Sequence, residues 1–153
     1  MARRFRLEQK QIIPRPRSVL FAFFADAQNL ERITPDFLGF RILTPAPIEM
    51  KPGATIDYSL RLYGFSLKWK TRIEVFEPER RFVDRQLQGP YRTWHHLHEF
   101  EEVEQGTLMR DVVDYELPLG PLGVAARALF VRGSLTRIFA YRRQAIAEIF
   151  GAV

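Results

Sequence analysis

The feature that most constrains this chain is an alternation of apolar and polar residues that runs through positions 55–77. The stretch reads TIDYSLRLYGFSLKWKTRIEVFE, with Ile56 and Tyr58 on one face before Gly64. After Gly64 the alternation resumes, with Trp69 and Ile73 on one face and charged side chains on the other. A period of two residues is typical of β-strands with one buried face. The run therefore predicts two antiparallel strands joined by a tight turn near Gly64.

Four further segments carry the same period and predict strands. They are RRFRLEQKQII at 3–13, RRFVDRQLQG at 80–89, YRTWHHLHEFEEVEQG at 91–106 and TLMRDVVDYELP at 107–118. A turn at Gln105–Gly106 joins the last two. Since strands linked by short hairpins run antiparallel, we expect one antiparallel sheet of about six to seven strands.

Two regions have helical periodicity instead. SVLFAFFADAQNLERIT at 18–34 predicts a helix with Ser18 as its N-cap, and PDFLGF at 35–40 predicts a short second helix or turn. Residues 119–150 predict one long C-terminal helix. Its apolar arc consists of Ala128, Val131, Leu135, Ile138, Phe139, Ile146, Ile149 and Phe150.

These elements define an α+β architecture in one domain over residues 1–153. An antiparallel sheet needs a cover on its apolar face, and the C-terminal helix is the only predicted element long enough to supply it. A helix of about 28 residues spans about 42 Å. We therefore expect a curved sheet wrapped around this helix, with two short helices after the first strand.

In this pattern the chain resembles the START-related helix-grip superfamily, also called SRPBCC. The resemblance is carried by FRLEQKQII and SVLFAFFADAQNLERITPDFLGFRI, by the strands from WKTRIEVFEPERRF to RDVVDYELPLG, and by IFAYRRQAIAEIF near the end. It is most similar to the polyketide cyclase/dehydrase-like proteins of the small bacterial ligand-binding branch. The resemblance implies a cavity between sheet and helix, but the superfamily includes lipid carriers, hormone receptors and cyclases, so it implies no single chemistry.

The alternation also predicts which side chains face that cavity, once the large apolar residues are assigned to the inside. Besides apolar residues, the inner face then carries polar and aromatic candidates for ligand binding. These are Tyr58, Trp69, Thr71, Asp84, Gln86, Trp94, His96, His98, Asp111 and Tyr115. Thr93, His95, Leu97 and Glu99 point outward, so the three histidines do not form one site.

Arg142 falls near the centre of the apolar arc of the helix. A buried guanidinium without a partner is very unfavourable. It must therefore meet an inward carboxylate, Asp84 or Asp111, reach out of the cavity mouth, or bind an anionic ligand.

For His96 and His98 the sequence leaves three interpretations open: a structural hydrogen-bonded pair, ligand contacts, or a catalytic or metal role. A His-x-His pair can chelate zinc if a third ligand such as Asp111 or Asp84 joins it. The spacing alone does not require this, so we expect no metal and no cofactor.

The amino-acid composition excludes several kinds of site and partner. The chain has no cysteine, which excludes disulfides, thiolate metal sites and cysteine nucleophiles. It has no signal-peptide pattern and no apolar run long enough to span a membrane, so we expect a cytoplasmic protein. The net charge of +5 is densest at Arg3, Arg4, Arg6, Lys10, Arg15 and Arg17. Because no nucleic-acid motif accompanies this group, we expect no nucleic-acid partner.

Three functions are compatible with these observations. The favoured one is binding of a small hydrophobic or aromatic molecule, lipid- or polyketide-like and with or without an acidic group. The first alternative is a cyclase/dehydrase-type enzyme in which His96 or His98 acts as base, tuned by Asp111 or Asp84. The second alternative is an interaction protein that uses its basic surface with Phe130 and Tyr141. A homodimer is also compatible with the sequence.

Overall fold

The computed structural model of the protein describes residues 3–62 and 64–153. Its strands are β1 (Arg4–Ile13), β2 (Arg41–Ile42), β3 (Thr55–Leu62), β4 (Phe65–Glu77), β5 (Arg81–Gln88), β6 (Thr93–Val103) and β7 (Gly106–Glu116). They form one antiparallel sheet in the order β1-β7-β6-β5-β4-β3-β2. The predicted α+β class and sheet are confirmed, and the strand that carried no sequence signal is the two-residue β2.

The hairpin predicted at Gly64 is confirmed. Gly64 has a φ angle of 83°, a left-handed conformation that glycine adopts without steric penalty. The β6–β7 turn depends on Gly106, where a side chain would collide with the Ile13 carbonyl. Across the first hairpin Tyr58 pairs with Trp69. The turn therefore sets which aromatic rings lie side by side on the inner face.

The helical region after β1 is divided, which corrects the prediction of one helix over 18–34. Helix α1 covers Arg17–Ala25, and 3-10 segments follow at Ala27–Ile33 and Asp36–Leu38. The break lies at Asp26, whose carboxylate accepts a hydrogen bond from the backbone N–H of Gln28. Ser18 is not the N-cap, because α1 begins one residue earlier and Pro16 occupies the cap position. The short helix predicted at 35–40 is confirmed.

The long C-terminal helix is confirmed and runs without interruption from 121 to 150. It consists of α2 (Pro121–Ala126), a π-helical turn (Arg127–Val131) and α3 (Arg132–Phe150). A π turn holds one residue more than an α turn and so rotates the segment before it. For this reason Ala128 is not buried, and its assignment to the buried arc was wrong. The buried side chains of α3 are Leu135, Phe139, Arg142, Ala145, Ile146 and Phe150.

The core consists of two apolar clusters between the helix and the sheet. One is rich in phenylalanine and joins α1 to β5, β6 and the end of α3. The other joins β1, β6 and β7 to Leu135 and Phe139 of α3. Fully buried side chains such as Ile146 and Val113 each stabilise the fold by about 1.5–3 kcal/mol. The polar groups described below lie between these clusters.

None of the helices in the described ranges is long and apolar enough to cross a bilayer.

Candidate functional site

A cavity of about 180 Å³, partly open to the surface, lies between the sheet and the C-terminal helix. Its walls come from the 3-10 segments, from the inner faces of β3–β6 and from α3. Most of the lining is apolar or aromatic, and the polar groups are concentrated on β5, β6 and α3. The lining residues are Leu30, Ile33, Thr34, Leu38, Phe40, Tyr58, Leu60, Leu62, Trp69, Asp84, Tyr91, Trp94, His96, His98, Leu135, Ile138, Phe139 and Arg142.

Seven of the eleven predicted binding residues line this cavity, namely Tyr58, Trp69, Asp84, Trp94, His96, His98 and Arg142. The inward orientation predicted for alternate residues of β6 is confirmed by their burial, and so is the outward orientation of His95. Whether these side chains contact a ligand stays a prediction.

The other four predicted residues are used by the protein itself. Thr71 donates to the Arg85 carbonyl at 3.1 Å, and Gln86 both donates to and accepts from the Tyr91 backbone. The Tyr115 hydroxyl accepts from Arg127 at 3.3 Å. Asp111 is buried behind the histidines. These four side chains do not form the cavity lining.

The two inward histidines are each paired with a different carboxylate. His96 Nε2 lies 2.8 Å from Asp111 Oδ1, and His98 Nε2 lies 2.6 Å from Asp84 Oδ2. The two imidazole rings stack, with centroids 3.7 Å apart and planes 26° apart. Phe82 stacks on His98, with ring centroids 4.0 Å apart. The rings are therefore held between two carboxylates and an aromatic wall.

Arg142 reaches this pair from the helix side, and of the three possibilities that the sequence left open the structure shows contact with an inward carboxylate. Its Nη2 lies 3.3 Å from Asp111 Oδ1, so the buried guanidinium has a buried carboxylate as its partner. Its guanidinium carbon also lies 5.2 Å from the Phe24 ring centroid and 5.9 Å from that of Phe139. Within the described residues, Arg142 Nε is buried without a hydrogen-bond partner. The helix is thus tied to β7 by an ion pair through the core.

This network fixes the charges of its members. Burial opposes ionisation of Asp111, but the Arg142 guanidinium and the His96 hydrogen bond outweigh it and hold the pKa of Asp111 well below its usual value. Burial also opposes ionisation of Asp84, but the hydrogen bond from His98 and the neighbouring charges of His96, His98 and Arg142 together outweigh it, which lowers the pKa of Asp84. Burial and the neighbouring His96 lower the pKa of His98 to about 4. At neutral pH both acids are therefore ionised and His98 is neutral.

Tyr58 is a further titratable group on the wall. Burial, together with the charge of Asp84, raises the pKa of its phenol well above the ordinary value. The hydroxyl therefore stays protonated at neutral pH and can donate a hydrogen bond. Its ring lies 5.0 Å from that of Phe40.

Part of the lining was not predicted from sequence. Leu30, Ile33, Leu38 and Phe40 come from or adjoin the 3-10 segments, whose irregular backbone has no single period to reveal its inner face. Tyr91 comes from the loop between β5 and β6. Its ring lies 4.8 Å from that of Trp94 and 5.7 Å from that of Trp69. The only sequence signal for this wall was the density of aromatic residues around 91–94.

The two tryptophans contact each other at the cavity wall. Their ring centroids lie 5.3 Å apart and the planes are almost perpendicular, at 89°. Edge-to-face contacts of this kind are favourable beyond the area that they bury. They hold the aromatic side of the cavity in a fixed shape.

A larger depression of about 700 Å³ lies at the surface and differs in character. It is lined mainly by charged side chains, including Arg80, Arg81, Glu99 and Arg110. Arg110 donates to Glu99 at 2.6 Å and Arg81 to Glu77 at 2.9 Å. The charged side chains of this depression are paired with one another, and its surface is polar, so it offers few contacts to a hydrophobic molecule.

Part of the basic N-terminal group is balanced by neighbouring acids. Arg6 forms two hydrogen bonds with Asp114, at 2.7 and 3.0 Å, and Arg4 lies 3.4 Å from Glu116. Lys10 lies 4.0 Å from Glu8. These three side chains are therefore paired with acids, and an interaction through the group stays a prediction, as does the role of the exposed Phe130 and Tyr141.

The site offers general acid–base groups and ligand atoms. His96 Nε2 is held by an ionised carboxylate, which makes Nδ1 the basic nitrogen of that ring. Asp84, His96 and His98 each place one ligand atom within 4.8 Å of the others, a spacing from which a metal ion could be held.

Comparisons with known proteins agree with this architecture. The sequence profile described as "Polyketide cyclase / dehydrase and lipid transport" matches residues 13–140. No curated protein matches the chain in sequence.

Among solved structures, protein CV1439 from Chromobacterium violaceum has a TM-score of 0.74 at 10% identity, covering 97% of this chain and 99% of that one. TTHA0849 from Thermus thermophilus has a TM-score of 0.70 at 14% identity, covering 96% and 99%. Major latex-like protein 151 from Panax ginseng has a TM-score of 0.69 at 14% identity, covering 96% and 97%. At these identities the likeness concerns the fold. The profile match covers most of the chain, and the protein therefore belongs to the polyketide cyclase/dehydrase and lipid transport family.

Proposed function

We propose that this protein binds a small, uncharged aromatic molecule of one or two rings in the cavity between sheet and helix. The observation that carries the proposal is the cavity itself: about 180 Å³, with apolar and aromatic walls and one polar side. Sites for small molecules combine these features, with a few polar groups that fix orientation.

The volume selects the size of the ligand. A dry apolar cavity of about 150 Å³ accommodates benzene, so 180 Å³ suits one ring with substituents or a compact two-ring molecule. A long-chain lipid would require the cavity to widen. We therefore place the ligand at the aromatic rather than the lipid end of the range expected from sequence.

The expected affinity follows from the apolar area that the ligand buries. A two-ring molecule buries about as much surface as a tryptophan side chain, up to about 250 Å². At about 25 cal/mol per Å² this contributes up to about 6 kcal/mol, which corresponds to a Kd of about 0.04 mM before the entropy cost of immobilising the ligand is subtracted. Hydrogen bonds at the polar side would lower the Kd further.

Charge at the polar side selects the functional group. Two ionised carboxylates, Asp84 and Asp111, face one guanidinium, that of Arg142, which already pairs with Asp111. An added anion would be repelled there. A hydroxyl group that donates to Asp84 fits better, so a phenol is favoured over an aromatic acid.

An NMR titration of the ¹⁵N-labelled protein with 2-naphthol tests this proposal. We expect saturable shifts at lining residues, weaker binding of 2-naphthoate, and at least about a tenfold loss of affinity in Ile138→Trp, which fills the cavity. Ile149→Trp is the matched control, since Ile149 is also half-buried on α3 but does not line the cavity. Absence of saturable shifts, or unchanged affinity in Ile138→Trp, would reject the proposal.

The second candidate is an enzyme that removes a proton next to a carbonyl, as a cyclase/dehydrase would. The supporting observation is the His96–Asp111 pair at 2.8 Å, which leaves the basic Nδ1 of His96 on the cavity side. Exchange of the α-protons of 2-tetralone in D₂O provides an assay that needs no knowledge of the natural substrate. An enzyme of this kind would accelerate exchange in the parent and in His95→Ala but not in His96→Ala. Equal rates in all three proteins would eliminate this candidate.

A further inference from the structure

We propose that Asp84, His96 and His98 form a binding site for one divalent transition-metal ion of the Zn²⁺ class, open towards the cavity. The inference goes beyond organic-ligand binding and concerns a metal-bound state, in which Asp84 binds the ion instead of accepting from a ligand hydroxyl. It also departs from the expectation of no metal that the sequence supported.

The sheet brings the three ligands together. His96 and His98 project from the same face of β6, and Asp84 on β5 is the direct cross-strand partner of His96. Asp84 Oδ2 lies 2.6 Å from His98 Nε2 and 3.8 Å from His96 Nδ1. Ligands about 2.0–2.1 Å from a tetrahedral zinc ion lie roughly 3.3 Å apart. The two distances lie on either side of that value, and all three ligand atoms lie within 4.8 Å of one another. Shifts of about 1 Å, together with a turn of the stacked imidazole rings towards the ion, would complete the geometry.

The surroundings of His96 are those of a metal-bound imidazole. Metal-binding histidines usually donate their second ring N–H to a carboxylate, which fixes the tautomer and the ring orientation. Here His96 Nε2 has Asp111 at 2.8 Å, and Arg142 anchors Asp111 in turn. The lone pair of His96 is thereby placed on Nδ1, the nitrogen nearest Asp84.

An unpartnered buried atom points to the same conclusion. His98 is 4% exposed, and its Nδ1 is buried without a hydrogen-bond partner among the described residues, 3.4 Å from Asp111 Oδ1. While the proton of the neutral ring lies on Nε2, shared with Asp84, the Nδ1 lone pair faces a carboxylate. A metal on Nε2 moves that proton to Nδ1, where it faces the Asp111 carboxylate instead of a lone pair doing so. The shift is a tautomer exchange, so it requires no net gain or loss of protons.

The ligand chemistry and charge define the ion. Two imidazoles and one carboxylate suit Zn²⁺, Fe²⁺ or Co²⁺ and do not suit Ca²⁺ or Mg²⁺, which prefer oxygen ligands. With neutral imidazoles the two acids and Arg142 sum to one negative charge, which a divalent ion converts to one positive charge. A fourth position facing the cavity would therefore attract hydroxide or an anionic oxygen of a ligand.

Isothermal titration of chelator-treated protein with Zn²⁺ tests the inference, and Co²⁺ absorbance reports the coordination directly. We expect one ion per chain in the parent and in His95→Ala, which removes an exposed histidine of the same strand. Asp84→Asn and His96→Ala should each weaken Zn²⁺ binding by at least about tenfold. Asp84→Asn preserves side-chain size, and circular dichroism identifies any variant that has unfolded.

Three outcomes would overturn the metal site: no stoichiometric Zn²⁺ binding by the parent, unchanged binding by folded Asp84→Asn, or loss of binding in His95→Ala. The 2-naphthol titration is read separately on the metal-free protein. Failure of the metal site is therefore distinguishable from failure of the proposed aromatic-ligand function.

Discussion

The ion pair between Arg142 and Asp111 allows a quantitative test of how the helix is fixed to the sheet. Both side chains are buried, and Nη2 lies 3.3 Å from Oδ1. At an effective dielectric constant of about 20, opposite unit charges about 4 Å apart attract by about 4 kcal/mol. Arg142→Leu leaves Asp111 ionised and without its cationic partner. We therefore expect a loss of about 3–5 kcal/mol in the free energy of unfolding.

The second expectation concerns the double variant. Asp111→Leu alone should also be strongly destabilising, since it leaves the guanidinium of Arg142 buried and unpaired. Arg142→Leu/Asp111→Leu removes both charges, so it should be more stable than the sum of the two single losses implies, by at least about 2 kcal/mol. Total stability of a domain is about 5–15 kcal/mol, so each single variant lies within measurable range if it folds.

Urea denaturation followed by circular dichroism measures all three variants against the parent. Arg6→Leu is the control, because Arg6 forms two hydrogen bonds with Asp114 at an exposed site, and it should have a much smaller effect. A loss below about 1 kcal/mol in Arg142→Leu, or strict additivity in the double variant, would refute the argument that the buried charges depend on each other.

Three further predictions concern pH and backbone. The pKa of His98 is about 4 in the folded protein and 6.5 in the unfolded chain, so the unfolded chain binds more protons between these pH values. The free energy of unfolding should therefore fall by up to about 3 kcal/mol from pH 7 to pH 4, and urea midpoints measured across this range test it. Gly106→Ala should destabilise by about 2 kcal/mol or more because of the collision with the Ile13 carbonyl, a loss visible as a lower urea midpoint. Gly133→Ala should stabilise by up to about 1 kcal/mol, seen as a higher Tm, because an added methyl group there meets open space.

The sequence was sufficient for those parts of the fold in which one backbone period persists. The faces of β6 and β7 followed from alternation alone, and so did the inward placement of His96, His98 and Asp111. The position of Arg142 on the helical arc showed that its charge needs a partner, but the sequence left open a carboxylate, the cavity mouth or an anionic ligand.

The sequence did not reveal features that depend on where a period breaks. The π turn at 127–131 changes the phase of the helix, so Ala128 lies outside the buried face. The 3-10 segments and the loop that carries Tyr91 close the cavity without any period of their own. Which acid pairs with which histidine is set by strand register and rotamers, since both acids were available to both rings.

The edge-to-face contact of Trp69 and Trp94 has a practical consequence in spectroscopy. The chain contains two tryptophans, and both lie on the wall of the same cavity. Excitation at the red edge of the protein absorption band selects tryptophan, so the emission of the protein arises entirely at that wall. Quenching, wavelength shifts or energy transfer to an aromatic guest can therefore be recorded without any label. The near-ultraviolet circular dichroism of the two coupled indoles should also change when a ligand enters the cavity. The intrinsic optical signals of the protein therefore report whether the cavity is occupied.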